Sequence, residues 1–158
     1  MLALAVSSPA VADFARPGIK LKGTGGSLNT AEGQSSALSA DGNTAIVGGP
    51  GDGNSDGASW IFVRTGSAWT QQGLKLVGTG ATGFARQGAS VSIAADGNTA
   101  IVGGPGDNAG DGAAWIFVRN AGVWTQQGGK LIGAGGGVQF PGSDCFGREW
   151  QSLCRRSR

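Results

Sequence analysis

The chain has 158 residues, of which 32 are glycine and 39% are hydrophobic, and its formal net charge is +2 at pH 7. Residues 1–133 hold eight Lys/Arg and eight Asp/Glu, so the sequence lacks the basic surface with which proteins bind nucleic acids. The absence of histidine excludes Ser-His-Asp and Cys-His catalysis and histidine-ligated zinc, and no run of about 20 apolar residues could span a membrane.

Residues 1–13 combine a brief apolar run with an Ala10-x-Ala12 ending. Such an ending is typical of a signal-peptidase site, although basic residues do not precede the run. We interpret this segment as the remnant of a signal peptide, which predicts a secreted or cell-surface protein.

A period of 55 residues organises residues 14–133. The thirteen residues "ADGNTAIVGGPGD" stand at 40–52 and again, unchanged, at 95–107, and "WIFVR" and "WTQQG" return at the same offset. Repetition at a fixed period is the signature of a structural unit copied in tandem. We therefore divide the repeats into two complete units, unit 1 (24–78) and unit 2 (79–133), preceded by the end of an earlier unit.

Each unit is predicted to form four short strands, because its apolar runs are rich in Val, Ile, Phe and Trp and end at Gly, Asp, Asn or Pro. The first alternates, which places Val91 and Ile93 on one face; the second and third are apolar on both faces, and the fourth is long and polar. The Asp-Gly of "ADGN" predicts an antiparallel hairpin between the first two. Examples of the first to the fourth strand are "ASVSIA" (89–94, from unit 2) and "TAIVGG" (44–49), "WIFVR" (60–64) and "WTQQGLKLVG" (69–78), all from unit 1.

Strands that are apolar on both faces require cover on both sides of the sheet, and radial stacking of identical sheets provides it. We therefore predict an all-β fold of antiparallel four-stranded blades of a β-propeller, with about two blades present. The alternative is a two-sheet β-sandwich, and a parallel solenoid fits the hairpin turns less well. Because propellers close with about 4–8 blades, a blade at the end of the pair should expose the apolar face that carries Trp60 and Phe62 to water. We therefore expect self-association or a longer repeat array.

A partial calcium-binding motif follows the second strand of unit 1. Asp52, Asn54 and Asp56 alternate before a glycine, as in the first half of a calcium loop, but the acidic residue that would complete the loop is missing. Unit 2 has Asp107 and Asp111 at the outer two of these positions and alanine at the middle one. We predict these residues as metal ligands and calcium as the cofactor, with no other cofactor. The alternative is a polar turn whose side chains bind their own backbone.

The four repeat tryptophans are predicted to be packing residues. Trp60 and Trp115 begin strands that are apolar on both faces, so they should be buried between sheets. Trp69 and Trp124 open the outer strand, where exposed rings would form a platform for sugars; packing is the favoured interpretation for them too.

The stretch from "GASVSIAADGNTAIVGGPGD" to "GAAWIFVR" resembles the FG-GAP repeat of integrin α-chain propellers and of many bacterial surface proteins. The likeness covers about residues 14–133 and includes Ser90-Val91 and the Gly-Gly-Pro of 103–105. Gln87-Gly88 stands where the family has Phe-Gly, which makes the bacterial variant the nearer likeness. The resemblance implies a β-propeller that serves as a binding or adhesion scaffold, with a protein or a carbohydrate as its ligand.

Residues 134–158 break the repeat and contain both cysteines, Cys145 and Cys154. We interpret this segment as a divergent or out-of-frame tail. Two other interpretations of the chain stay open: a fragment of a propeller enzyme acting on polysaccharide, and a truncated array with no function of its own. We predict a non-enzyme, because histidine and repeat-breaking acidic residues are absent.

Overall fold

The computed structural model describes residues 20–133. This part of the chain forms two four-stranded antiparallel sheets, one from each unit, in which strand order follows chain order. The predicted all-β fold is confirmed. The first sheet consists of β1 (Ser35–Leu38), β2 (Thr44–Gly49), β3 (Ala58–Thr65) and β4 (Ala68–Gln71). The second consists of β5 (Ser90–Ile93), β6 (Thr99–Gly104), β7 (Ala113–Asn120) and β8 (Val123–Gln126).

Alternation along the paired strands gives each sheet two faces. We call the two faces upstream and downstream. The upstream face of the first sheet points away from unit 2, and the upstream face of the second sheet points towards unit 1. The downstream face is the opposite face of each sheet. In the first sheet, the upstream face carries Ala45, Val47, Trp60 and Phe62, and the downstream face carries Ile46 and Ile61. In the second sheet, the same register places Ala100, Val102, Trp115 and Phe117 upstream and Ile101 and Ile116 downstream.

The downstream face of the first sheet packs against the upstream face of the second. Ile46 and Ile61 are 0% exposed and belong to the same core cluster as Val102 and Trp115. The sheets approach each other through β5, which lies beside β1 and β2. As predicted, Val91 and Ile93 lie on one face, the face that packs on this core. The larger core therefore lies between the units.

Trp60, on the upstream face of the first sheet, is also 0% exposed. Its indole Nε1 donates a hydrogen bond to the Thr24 carbonyl (2.9 Å), and Leu21 packs on the same cluster. The predicted burial of Trp60 and Trp115 is confirmed. The expectation that Trp60 and Phe62 would be open to water at the end of the pair is wrong, because the segment that precedes β1 covers them.

The predicted antiparallel hairpin between β1 and β2 is confirmed, and the two residues of its Asp-Gly pair contribute to the turn in different ways. Only Gly42 has a positive φ (64°), whereas the Asp41 carboxylate accepts hydrogen bonds from the Ser39 hydroxyl (2.5 Å) and the Asn43 backbone N–H (3.0 Å). These bonds lower the pKa of Asp41 to about 2. The aspartate therefore stabilises the turn through its side chain.

The outer strand is shorter than predicted. β4 ends at Gln71, and Gly73 then adopts a left-handed conformation (φ 76°) that turns the chain away from the sheet. Only Leu76 rejoins β3, through a single bridge to Ser59. A short helical turn, Asp52–Ser55, separates β2 from β3, and a 3-10 turn, Asp107–Gly110, separates β6 from β7.

Some sequence-based expectations fall outside the described residues. The signal-peptide remnant (1–13) and the tail (134–158) with Cys145 and Cys154 lie there. Within residues 20–133, no helix is long and apolar enough to cross a membrane.

Candidate functional site

The two aspartates that open the predicted calcium motifs are buried, and each forms an ion pair with a partly exposed lysine. Asp52 is 2% exposed; its Oδ2 accepts a hydrogen bond from the Lys75 ammonium, and its Oδ1 accepts one from the Ser27 backbone N–H (2.6 Å). Asp52 therefore ties the segment that enters unit 1 to the segment that leaves it. In unit 2, the matching bonds join Asp107 to Lys130 (2.5 Å) and to the Thr82 N–H (2.7 Å).

The environment of Asp52 keeps its carboxyl group ionised. Burial raises the pKa of Asp52, but the Lys75 ammonium and the Ser27 hydrogen bonds stabilise the charged form more strongly, so the pKa lies below its ordinary value of 3.8. Both oxygens have protein partners. A calcium ion at this carboxylate would have to compete with the Lys75 ammonium.

The other predicted ligands are on the surface. Asn54 and Asp56 are exposed, and Asn54 has a left-handed backbone (φ 59°). The exposed Asp111 accepts a hydrogen bond from the Asn108 amide (2.6 Å). Among residues 20–133, no three His, Cys, Asp or Glu side chains come together in a group that could hold a metal ion. Calcium binding stays a prediction.

A different feature, an open cleft of about 480 Å³, lies where the two units meet. The loop between β2 and β3 contributes one wall, and the segment between β4 and β5 contributes another. The backbone N–H of Arg86 donates to the Ser55 carbonyl (2.9 Å), which holds the two walls together. We call this feature the inter-unit cleft; its lining includes Gln34, Pro50, Asn54, Ser55, Phe84 and Arg86.

Phe84 and Arg86 are large cleft residues that the repeat does not share. Unit 1 has Asn29 and Ala31 at the matching positions. Arg86 and Ala31 have the same left-handed backbone (φ 56° and 52°), so the local fold does not require arginine. The Phe84 side chain is 68% exposed, and Arg86 forms no ion pair within the described part of the chain. Core packing therefore explains neither side chain.

The inter-unit cleft combines three kinds of binding group. An exposed aromatic ring stacks on apolar C–H faces, and a guanidinium forms paired hydrogen bonds with a carboxylate. The side-chain amides of Gln34 and Asn54 both donate and accept hydrogen bonds. This site is not predicted from the sequence, because its walls are formed by residues that are distant in sequence. The available signal was the departure of Phe84 and Arg86 from the repeat.

Trp69 and Trp124 are both partly buried. The Arg64 guanidinium lies 5.7 Å from the centroid of the Trp69 ring, and Arg119 lies 5.5 Å from that of Trp124. The Trp124 Nε1 also donates a hydrogen bond to Gln72 (3.0 Å). These contacts agree with the predicted packing role of the two rings.

No protein-family model matches the sequence, and no curated protein is similar to it. The resemblance to the FG-GAP repeat therefore rests on the quoted sequence motifs.

Proposed function

We propose that residues 14–133 are two blades of an FG-GAP-like β-propeller and form a non-catalytic binding scaffold of a secreted or surface protein. The proposal is supported by the equivalence of the units, which share strand order, register and an ion pair of one buried aspartate with a lysine. The approach of β5 to β1 and β2 fits blades that converge at their inner strands.

We propose the inter-unit cleft as the binding site and an acidic glycan as its ligand. The observation that carries this proposal is that Phe84 and Arg86 both line the cleft. Unit 1 has other residues at these positions, and core packing does not explain either side chain. Phe84 would stack on a sugar ring, Arg86 would bind the carboxylate, and the amides of Gln34 and Asn54 would bind hydroxyl groups.

The walls of the cleft are held in place before any ligand arrives. Arg86 and Gln87 each donate a backbone hydrogen bond to the β2–β3 loop, to Ser55 (2.9 Å) and Asp56 (2.9 Å). A preformed site loses less conformational entropy on binding. Loops on a rigid sheet scaffold are a common setting for recognition.

Titration calorimetry of the full chain with a uronic-acid oligosaccharide tests this proposal. The variants Phe84→Asn and Arg86→Ala introduce the residues that unit 1 has at these positions, so the fold should be retained. Arg86→Ala should weaken binding about tenfold or more, because a hydrogen bond to a charged group contributes roughly 1.5–3 kcal/mol. Phe84→Asn should also weaken it, because the stacking surface is lost.

The matched control is Val123→Ala, which also introduces the unit 1 residue at an exposed position (62% exposed). This variant should bind like the wild type, and a neutral oligosaccharide of equal length should bind more weakly. If both cleft variants retain wild-type affinity, the cleft is not the site. Release of shorter sugars during the titration would instead support a polysaccharide-cleaving enzyme.

A further inference from the structure

The chain carries both halves of one interface, and within residues 20–133 each half recurs at the opposite end of the unit pair with some of its apolar side chains exposed. We propose that copies of this chain associate head to tail, with the downstream face of unit 2 packing on the upstream face of unit 1 in the next copy. This inference depends on the equivalence of the two units and not on ligand binding in the cleft, so the two proposals can fail separately.

The downstream half is seen by comparing matched residues. Ile46 and Ile61 are 0% exposed because unit 2 covers them, whereas their counterparts Ile101 and Ile116 are partly exposed. Leu76 is 7% exposed, and its counterpart Leu131 is 38% exposed. The paired side chains are identical, so their different exposure arises because unit 2 packs on unit 1, whereas no further unit packs on unit 2 among the described residues.

The upstream half shows the reverse contrast. Ile93 is 9% exposed under unit 1, whereas its counterpart Leu38 is 59% exposed. Val102 is 0% exposed, and its counterpart Val47 is partly exposed. The exposed apolar side chains at this end therefore match those that unit 2 buries against unit 1.

Polar contacts fix how the two units are aligned at their interface. The residues that make these contacts have counterparts at the two outer ends of the unit pair. Between the units, the Ser35 hydroxyl donates to the Gly88 carbonyl (2.8 Å), the Ala40 N–H donates to the Ala95 carbonyl (3.0 Å), and Trp124 Nε1 donates to Gln72 (3.0 Å). The counterparts on the downstream side are Ser90, Ala95 and Gln127, and those on the upstream side are Gly33, Ala40 and Trp69. Every donor and acceptor type needed for a second interface is therefore present.

The contact between copies should be weaker than the contact within the chain. Ser36 replaces Val91 on the upstream face, and Ser92 replaces Ala37 on the downstream face. Each change removes apolar area from the contact, so association should be reversible on dilution. Because the two halves differ, the interface is heterologous, and copies form a ring or an open chain rather than a symmetric dimer.

Light scattering on the full chain, with one variant for each half, tests this inference. Leu38→Glu blocks the upstream half and Ile116→Glu blocks the downstream half. The wild type should form concentration-dependent multiples of 15.6 kDa, and each variant alone should be a monomer. An equimolar mixture of the two variants should form a dimer, because each supplies the half that the other lacks.

Three results would overturn the inference. They are a monomeric wild type at high concentration, a variant that still dimerises alone, and a mixture of the two variants that stays monomeric. A variant that dimerises alone would show a symmetric contact or one elsewhere on the molecule, and a monomeric mixture would show that the two faces are not halves of one contact. Circular dichroism of each variant checks folding, and the pair Val47→Lys and Ile101→Lys, also at partly exposed positions, repeats the test if a glutamate variant unfolds.

Discussion

At the scale of single residues, Ser59 has a feature that unit 2 lacks. Its hydroxyl is buried without a hydrogen-bond partner among the described residues, and the matching residue is Ala114. A buried polar group without a partner costs roughly 1–3 kcal/mol. Ser59→Ala should therefore raise the free energy of unfolding by about 1 kcal/mol in urea denaturation.

Ala114→Ser is the reciprocal control for Ser59. It should lower the free energy of unfolding by a similar amount, because Ala114 is 3% exposed. If Ser59→Ala destabilises the protein, the hydroxyl contributes a favourable contact and this interpretation of Ser59 is wrong.

The ion pair of Asp52 with Lys75 predicts a pH dependence of stability. The pKa of Asp52 is lowered on folding, so its contribution is fully present above the unfolded value of 3.8 and is lost as the pH falls through the folded pKa. The difference in urea midpoint between the wild type and Asp52→Asn should be constant at neutral pH and shrink below about pH 4. A difference that stays the same down to pH 2 would show that Asp52 does not titrate with folding.

At the scale of elements, Trp60 in β3 and Trp115 in β7 are each covered by the segment that leads into their unit. Trp115 Nε1 donates to the Thr79 carbonyl (2.8 Å), and Gly78 lies directly against the ring. A Cβ at Gly78 would lie 2.1 Å from the Trp115 Cδ1. Only glycine allows the segment to approach the indole this closely.

Gly78→Ala should lower the free energy of unfolding by about 1–3 kcal/mol, because overpacking forces the ring or the segment to move. Urea denaturation followed by tryptophan fluorescence measures this loss. Gly129→Ala is the control, because a Cβ there would meet nothing within 4 Å, and its stability should be close to that of the wild type. Equal stability of the two variants would contradict the packing described for Trp115.

The strands could be predicted because their signal is local. The runs "TAIVGG" and "WIFVR" recur unchanged and form β2, β3, β6 and β7. The length of β4 could not be predicted, because the left-handed Gly73 that ends it has no polar or apolar pattern of its own. The cover over Trp60 was also missed, because it comes from a segment that is not a strand.

At the scale of the whole molecule, the candidate cleft depends on how the units pack. Asn54 and Arg86 are far apart in sequence and line one cleft because unit 2 packs on unit 1. A calcium motif could be read from spacing alone, but the pairing of Asp52 with Lys75 depends on where the chain returns after β4. Repetition predicts what the units share, whereas Phe84 and Arg86, the residues proposed to bind a ligand, are residues that differ between the units.

We propose that the units are equivalent blades that cover one another through a single repeated interface. The most direct test is light scattering of the full chain with further copies of residues 79–133 inserted after Gly133. We predict that association decreases and ends in a monodisperse monomer when the ring closes, at about 4–8 units. A two-unit chain that is already monomeric, and that gains copies without any change in association or melting temperature, would contradict the claim and indicate a closed two-sheet sandwich.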